Sequence, residues 1–300
     1  MPSAKIWLQA ARLRTLPLSI SGILVGGAMA IKEDFFRWDV FVLALLATLG
    51  FQVLSNYAND YGDGIKGTDN KDRVGPQRAM QAGLLDASQL KRGMWITAIL
   101  TVIIVISLIY VAFGERHLLL SLVYFFLGIA AIIAAIKYAV GKRAYGYKGL
   151  GDVFVFLFFG LVSVLGSYFL FTMQLPSYHV FGAISIGVLA TLVLHLNNMR
   201  DRESDAKVGK NTLAVHLGKA GALRYHNILL GAGVFSWLAY LWFSHSSPFL
   251  YASALGFLPL AFHFIKVRKT EDHRLLDPQL KVVALSTFLL AVLYFTISFI

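Results

Sequence analysis

Apolar stretches long enough to cross a membrane dominate this chain. Nine of them follow one another, and each approaches the roughly 20 residues that span about 30 Å of hydrocarbon. Because hydrocarbon offers no partner for an open backbone group, such stretches must be helices. The chain is therefore predicted to be an all-α polytopic membrane protein, with spans at about 16–31, 40–59, 93–113, 118–136, 152–173, 179–198, 223–243, 249–265 and 281–300.

The composition agrees with this fold class and excludes several kinds of site. Hydrophobic residues make up 57% of the chain and charged residues only 14%, whereas a soluble domain has about 25% charged residues. The chain contains no cysteine, so it has neither a disulfide framework nor a thiolate metal site. Any metal must be held by oxygen or by imidazole.

The basic residues lie mainly on one side of the predicted membrane. The segments 1–15, 60–92, 137–151, 199–224 and 266–281 hold 24 of the 27 Lys and Arg residues. Cytoplasmic loops carry such an excess, which predicts a cytoplasmic N-terminus. The net charge of +11 is then explained by topology, and no nucleic-acid partner is expected. No low-complexity segment or linker divides the chain, so the whole chain is predicted to form a single domain.

Two predicted spans end in matching acidic sequences on this basic side. Span two runs into "NYANDYGD" and span six into "NNMRDRESD". Residues three or four apart share one face of a helix, so each sequence forms a stripe of one amide and two acids. The stripes, called motif one and motif two below, are Asn56, Asp60 and Asp63, and Asn197, Asp201 and Asp205.

Acids at these positions need a physical reason. An unpaired acid inside a span costs about 2.5–3.5 kcal/mol, so it usually faces a cavity or a partner. Facing stripes would supply oxygen ligands of the kind that Mg²⁺ or Mn²⁺ prefers. Four acids without a metal would repel one another. The alternative is that the acids are simply solvated near the lipid headgroups.

Basic side chains follow both motifs. Lys66 and Arg78 come after motif one, and Lys210 comes after motif two, in segments that contain glycine. Carboxylates with a metal, next to cations and glycine-rich backbone, form a site suited to a pyrophosphate. The alternative explanation for each cation is the excess of positive charge in cytoplasmic loops.

A third segment on the same side, "KYAVGKRAYGYKGLGD", combines Arg143, Tyr145, Tyr147 and Asp152 with four glycines. The aromatic side chains could flank a planar substrate or a cation. They also fit an interfacial aromatic belt, and Asp152 could cap the following helix.

These motifs resemble the UbiA superfamily of intramembrane prenyltransferases. The resemblance is carried by "LSNYANDYGDGIKGTDN", "DRVGPQRAMQAGLL", "YGYKGLGD" and "NNMRDRESDAKVGKNTLAVHLG", within residues 54–218. The segments "YGYKGLGD" and "GPQRAMQAG" are most similar to the branch whose acceptor is 1,4-dihydroxy-2-naphthoate. The superfamily pattern for motif one is N-x₃-D-x₃-D, but Gly64 stands four residues after Asp60. Either Asp63 or Asp69 then takes the second ligand role.

The resemblance implies a nine-helix UbiA-like bundle in the bacterial cytoplasmic (inner) membrane, with its active site near the cytoplasmic face. It implies transfer of a polyprenyl group from polyprenyl pyrophosphate to 1,4-dihydroxy-2-naphthoate, with loss of CO₂ and pyrophosphate, giving demethylmenaquinone for menaquinone biosynthesis. A related enzyme for another acceptor, such as 4-hydroxybenzoate, and a transporter of an anionic solute remain as alternatives.

The resemblance also assigns expected roles to the residues of the motifs. The acids Asp60, Asp63, Asp201 and Asp205 are expected to be catalytic and, with Asn56, to hold Mg²⁺ or Mn²⁺. The expected pyrophosphate contacts are Asn56, Lys66, Arg78, Asn197 and Lys210. The candidates for binding the acceptor are Arg143, Tyr145 and Asp152.

Overall fold

The computed structural model describes residues 2–69 and 74–300. Within these ranges nine helices are long and apolar enough to cross a membrane. They are α1 (Ala4–Ile31), α2 (Trp38–Ile65), α3 (Ala87–Phe113), α4 (Leu118–Lys137), α5 (Gly151–Thr172), α6 (His179–Lys207), α7 (Leu213–Phe243), α8 (Pro248–Lys269) and α9 (His273–Ile297). The prediction of nine membrane helices is confirmed for the described residues.

The helices that carry the two motifs are longer than their apolar stretches. The sequence predicted that span six ends near residue 198, but α6 continues to Lys207 and α7 already begins at Leu213. Likewise α2 continues to Ile65. The charged residues stay helical because their side chains find partners inside the protein. Both motifs therefore lie on continuous helices, as their spacing predicted.

Helix α1 is interrupted near its start. A short helix, Ala4–Ala11, ends at Arg12, whose φ of 52° is left-handed, and one tight turn follows before the helix resumes at Leu16. A left-handed residue is a common way to end a helix. The turn is fixed by Asn56, whose Nδ2 donates to the Ala11 carbonyl at 2.8 Å and to Thr15 Oγ1 at 3.1 Å. Motif one thus anchors the N-terminal segment.

Helix α6 is the centre of the bundle. It packs against α1, α5, α7 and α9, and 72% of its most apolar stretch is buried, compared with 6% for α4. Where α6 meets α5, a Cβ on Gly160 would lie 2.6 Å from Gly187 Cα. The two backbones approach so closely because neither residue has a side chain. Motif two therefore lies on the most buried of these nine helices, whereas α4 lies at the periphery.

Candidate functional site

The four motif acids are buried at one end of the bundle, which we call the motif end. Asp60 is 1% exposed, Asp63 2%, Asp201 4% and Asp205 3%. The alternative that these acids are plain solvated residues is therefore wrong. A buried carboxylate is costly unless it is paired or hydrogen-bonded, so the partners of each acid define what this end of the molecule can do.

Asp60 is capped by backbone amides from the loop after α2. The amide of Ala79 donates to Asp60 Oδ2 at 3.1 Å, and that of Met80 donates to Oδ1 at 3.2 Å. The loop returns to α2 because Ala79 and Leu85 are buried in an apolar cluster with Leu54. Apolar packing thus brings the segment "QRAMQAGLL" onto motif one.

Asp63 lies in a charged cluster with Arg78. The Arg78 Nη1 atom is 2.5 Å from Asp63 Oδ2 and 3.0 Å from Asp69 Oδ2. Burial lowers the pKa of Arg78, but Asp63, Asp69 and Asp60 outweigh it and raise the pKa above its ordinary value. The guanidinium therefore stays charged. Asp63 and Asp69, the two candidates for the second ligand of motif one, therefore both pair with Arg78.

Glycine at positions 62 and 64 has a packing reason. A Cβ on Gly62 would lie 2.6 Å from the carbonyl oxygen of Ala139, and one on Gly64 would lie 2.5 Å from Met80 Sδ. A carboxylate at position 64, as in the superfamily pattern, would require Met80 to move, although the Met80 amide binds Asp60. Gly64 thus departs from the superfamily pattern at a position where Met80, in the loop after α2, fills the space that an acidic side chain would need.

Tyr147 connects motif one with motif two. Its hydroxyl donates to Asp63 Oδ1 at 2.6 Å. Its ring lies 3.8 Å from Lys66 Nζ and 5.7 Å from Lys210 Nζ, distances that allow cation–π attraction. Lys210 Nζ in turn lies 3.3 Å from Asp205 Oδ1. The sequence suggested that the aromatic residues of this turn flank a planar substrate or a cation, but Tyr147 was not among the expected site residues.

The electrostatics around Tyr147 favour an anion. Burial lowers the pKa of Lys66, an effect that Asp63 opposes and the nearby Lys210 reinforces. Burial and then Asp63 raise the pKa of Tyr147, so its hydroxyl stays protonated and donates. Two lysines from different motifs are therefore brought close together, and a bound anion would relieve their repulsion.

Motif two is organised by Arg200, which the sequence did not single out. Arg200 Nε donates to Asp201 Oδ1 at 2.8 Å and Nη2 to Asp201 Oδ2 at 2.6 Å. Nη2 also donates to Asn197 Oδ1 at 2.8 Å, and Nη1 donates to Asp277 at the start of α9. The only sequence signal for this role was the position of Arg200 inside "NNMRDRESD".

The motif residues fit a divalent cation by the chemistry of their donors. Among the described residues, no three acidic or histidine side chains already converge on one point. Asp205 Oδ2 and Asn59 Oδ1 are buried oxygens without a hydrogen-bond partner. Buried oxygens of this kind are the ligands that Mg²⁺ takes in proteins, so the donor set suits a hard cation.

The acceptor candidates lie in different surroundings. Arg143 is exposed on the turn between α4 and α5. Tyr145 stacks on Phe154 at 4.0 Å between ring centres, and its hydroxyl donates to the Ala134 carbonyl at 2.9 Å. Tyr145 and Phe154 both line the apolar cavity described below.

Asp152 is buried beside His195. Its Oδ2 lies 3.7 Å from His195 Nδ1, while His195 Nε2 bonds the Ala222 carbonyl at 2.9 Å. The start of α5 has no side-chain cap, since its N-cap residue is Leu150. The alternative that Asp152 caps this helix is therefore wrong.

An apolar cavity of about 320 Å³ begins at the motif end, where Asn56 and Asn59 form part of its wall. It follows α2 from Asn59 to Ala44, a rise of roughly 22 Å at 1.5 Å per residue. None of the described residues in its wall is charged; Phe158, Val105 and residues like them form most of it. The cavity suits a long apolar chain whose polar head lies among the motifs.

A second cavity, of about 430 Å³, includes Asp60 in its wall. Three arginines, Arg12, Arg14 and Arg78, also line it. Motif one thus contributes Asn56 to the wall of the apolar cavity and Asp60 to the wall of the arginine-lined one.

Comparison with known proteins identifies the family. The model of the UbiA prenyltransferase family matches residues 19–285. The chain belongs to the UbiA prenyltransferase family. It is 41% identical to a 1,4-dihydroxy-2-naphthoate octaprenyltransferase of Haemophilus influenzae, over 97% of this chain and 94% of that protein. It is 47% identical to the Escherichia coli protein of the same name, over 75% of this chain and 72% of that protein.

Solved structures of the UbiA fold agree with the bundle. A UbiA homologue from Archaeoglobus fulgidus bound to GPP and Mg²⁺ matches with a TM-score of 0.70 and 16% identity, over 98% of each chain. The predicted UbiA-like helical bundle is confirmed, and the chain is an integral membrane protein. The transporter alternative is wrong, because the chain belongs to a family of prenyltransferases.

Proposed function

We propose that this protein transfers a polyprenyl group from polyprenyl pyrophosphate to 1,4-dihydroxy-2-naphthoate, releasing CO₂ and pyrophosphate. The product is demethylmenaquinone, an intermediate of menaquinone biosynthesis. The observation that carries the proposal is the junction at Asn56 and Asn59, where an apolar cavity opens next to buried acids and cations. The similarity over nearly the full length of the Haemophilus influenzae relative supports the choice of acceptor.

The two parts of polyprenyl pyrophosphate bind in different environments, the charged motif end and the apolar cavity. Its pyrophosphate binds near Lys66, Arg78 and Lys210, with the amides of Asn56 and Asn197 as further polar contacts. Lys and Arg side chains form charge-assisted hydrogen bonds to phosphate oxygens, which are stronger than neutral ones. Its polyprenyl chain lies in the apolar cavity, which has no charged wall among the described residues. In this arrangement the allylic carbon lies near Asn56 and Asn59, where the apolar cavity begins.

The metal ligands are Asn56, Asp60, Asp63, Asp201 and Asp205, with Mg²⁺ or Mn²⁺ as the cation. When bound, the cation offsets the charge that develops on the departing pyrophosphate. Arg78 places Asp69 beside Asp63, so Asp69 contributes a further carboxylate at the same position. The Archaeoglobus fulgidus homologue crystallised with GPP and Mg²⁺ supports a divalent cation.

The chemistry then follows from charge and solvent exclusion. The allylic C–O bond breaks with its electron pair leaving on pyrophosphate, and preorganised cations such as Lys66 and Lys210 stabilise that charge. The naphthoate ring attacks through the carbon that bears the carboxylate, and loss of CO₂ returns the electron pair to the ring. Aromatic walls such as Phe158 and Tyr145 shield the cationic allylic fragment from water.

We propose that Arg143, Tyr145 and Asp152 orient the acceptor. Tyr145 is the member of this set that lines the apolar cavity, where its face can contact a planar ring. We also propose a single domain over residues 1–300, in the bacterial inner membrane, with the N-terminus and the motif end in the cytoplasm. The distribution of Lys and Arg supports this orientation.

The test is an acceptor competition in detergent. Purified protein is given octaprenyl pyrophosphate, Mg²⁺, and 1,4-dihydroxy-2-naphthoate and 4-hydroxybenzoate in parallel. We expect prenylation of the naphthoate, with loss of activity in the Asp60→Ala and Asp201→Ala variants. Turnover of the benzoate alone would keep the family chemistry but reject the proposed acceptor.

A further inference from the structure

Arg200 is a buried cation of the motif end with three side-chain partners. Its side chain is 1% exposed, and its three nitrogens reach Asn197, both oxygens of Asp201, and Asp277. Forked guanidinium contacts to a carboxylate are among the strongest hydrogen-bonded pairs in proteins. The arrangement therefore holds Asp201 firmly.

This contact competes with metal binding. Both oxygens of Asp201 already accept from Arg200, whereas Asp205 keeps one oxygen without a partner. A cation ligated by Asp201 would have to share those oxygens with a positive guanidinium. Like charges at such distances repel. The metal and Arg200 thus cannot both use Asp201 at full strength.

Arg200 keeps two hydrogen-bond partners when it no longer donates to Asp201. Asp277 belongs to α9 and its side chain is 41% exposed, so it stays solvated and remains a charged partner for Arg200. Asn197 supplies a further acceptor one turn before Asp201. Two of the three partners therefore hold the guanidinium without using Asp201.

We propose that Arg200 is a built-in counter-ion that pairs with Asp201 when no divalent cation is bound. A binding cation displaces Arg200 from Asp201 while Asp277 and Asn197 still hold the guanidinium, a change called the exchange below. It rests on the proposed function only in assuming that motif two holds such a cation. Arg200 pairs Asp201 so that Asp201 and Asp205 do not repel each other in the empty site. Arg200 also lowers the affinity of motif two for the metal, so a cation does not bind tightly before the pyrophosphate arrives.

The proposal predicts opposite effects for the two ends of the salt bridge. Arg200→Gln removes the competitor and both of its charge-assisted hydrogen bonds to Asp201, so Mn²⁺ should bind at least about tenfold more tightly. Asp277→Asn removes the alternative partner and leaves Arg200 fully on Asp201, so Mn²⁺ should bind several-fold more weakly. Arg200→Lys keeps the charge but loses the fork, and should fall between wild type and Arg200→Gln.

The experiment is a Mn²⁺ titration of each purified full-length variant in detergent without substrate, with free Mn²⁺ followed by EPR. Thermal unfolding without metal identifies any variant that fails to fold. The double variant Arg200→Gln with Asp277→Asn should bind like Arg200→Gln alone, because Asp277 acts only through Arg200.

A purely structural salt bridge gives a different pattern. In that case both single variants would bind Mn²⁺ more weakly, which would overturn the exchange. Wild-type protein that binds no Mn²⁺ would overturn both this inference and the metal-dependent function. If Arg200→Gln and Asp277→Asn shift the Mn²⁺ affinity in opposite directions but the protein prenylates neither acceptor, the exchange is supported and the proposed function is rejected. Failure of the exchange and failure of the proposed function are therefore distinguishable.

Discussion

Tyr147→Phe removes one oxygen from the centre of the motif end and leaves the ring in place. The lost hydroxyl donates to Asp63 Oδ1 at 2.6 Å and contacts Thr68 Oγ1 at 2.5 Å. The remaining ring still faces Lys66 and Lys210. The substitution therefore tests the hydrogen bond separately from the cation–π contacts.

The magnitude follows from the partners that Asp63 keeps. A hydrogen bond to a charged group contributes about 1.5–3 kcal/mol, equivalent to roughly 10- to 100-fold. Arg78 still holds the other oxygen of Asp63 at 2.5 Å, so we expect the lower end, about a tenfold fall in kcat/KM for the donor. Tyr147→Ala also loses the cation–π contacts, each worth about 0.5–2 kcal/mol, and should fall further.

The assay is steady-state prenyl transfer in detergent with the donor varied at saturating acceptor. Tyr240→Phe is a matched control, since the Tyr240 hydroxyl bonds the Tyr294 hydroxyl in the core at the end of the bundle opposite the motifs. It should change thermal stability without changing kcat/KM. Wild-type kinetics in Tyr147→Phe, with a fall in Tyr240→Phe, would refute the bridging role.

Four further outcomes follow from the same geometry. Asp60→Asn loses the charge and one of the two oxygens that accept from the loop amides, so the melting temperature should fall slightly and kcat should fall at least about 100-fold. Lys210→Met should raise KM for the donor about tenfold and leave KM for the acceptor unchanged; equal changes in both would contradict it. Gly62→Ala places a Cβ 2.6 Å from a backbone oxygen and should lower the melting temperature, whereas Gly231→Ala, with nothing within 4 Å, should not. Ala131→Trp narrows the apolar cavity, so turnover of octaprenyl pyrophosphate should fall more than that of geranyl pyrophosphate.

The fold could be predicted because a membrane leaves few options. Nine apolar stretches dictate nine helices, and every one is present in the described residues. The helix ends could not be predicted from hydropathy, since α6 continues to Lys207 through charged residues. Those residues are stabilised by pairs such as Arg200 with Asp277, which join helices that are distant in sequence.

The site was predictable only where helical spacing determines it. The three- and four-residue spacings placed the acids of each motif on a shared helix face, and the structure buries them at one end. The role of Tyr147 depends on a turn whose Tyr147 carbonyl accepts from the amide of Asn211, in the segment after motif two. The capping of Asp60 depends on packing of Ala79. Such long-range contacts leave no periodic signal in the sequence.

The central claim is best tested by coupling decarboxylation to prenyl transfer. Purified protein receives carboxyl-labelled 1,4-dihydroxy-2-naphthoate, octaprenyl pyrophosphate and Mg²⁺, and labelled CO₂ is measured together with prenylated product. The account predicts equal amounts of both, abolished by EDTA and by Asp201→Ala. Release of CO₂ without prenylated product, or equal transfer in EDTA by a folded sample, would contradict a metal-dependent prenyl transfer at these two motifs.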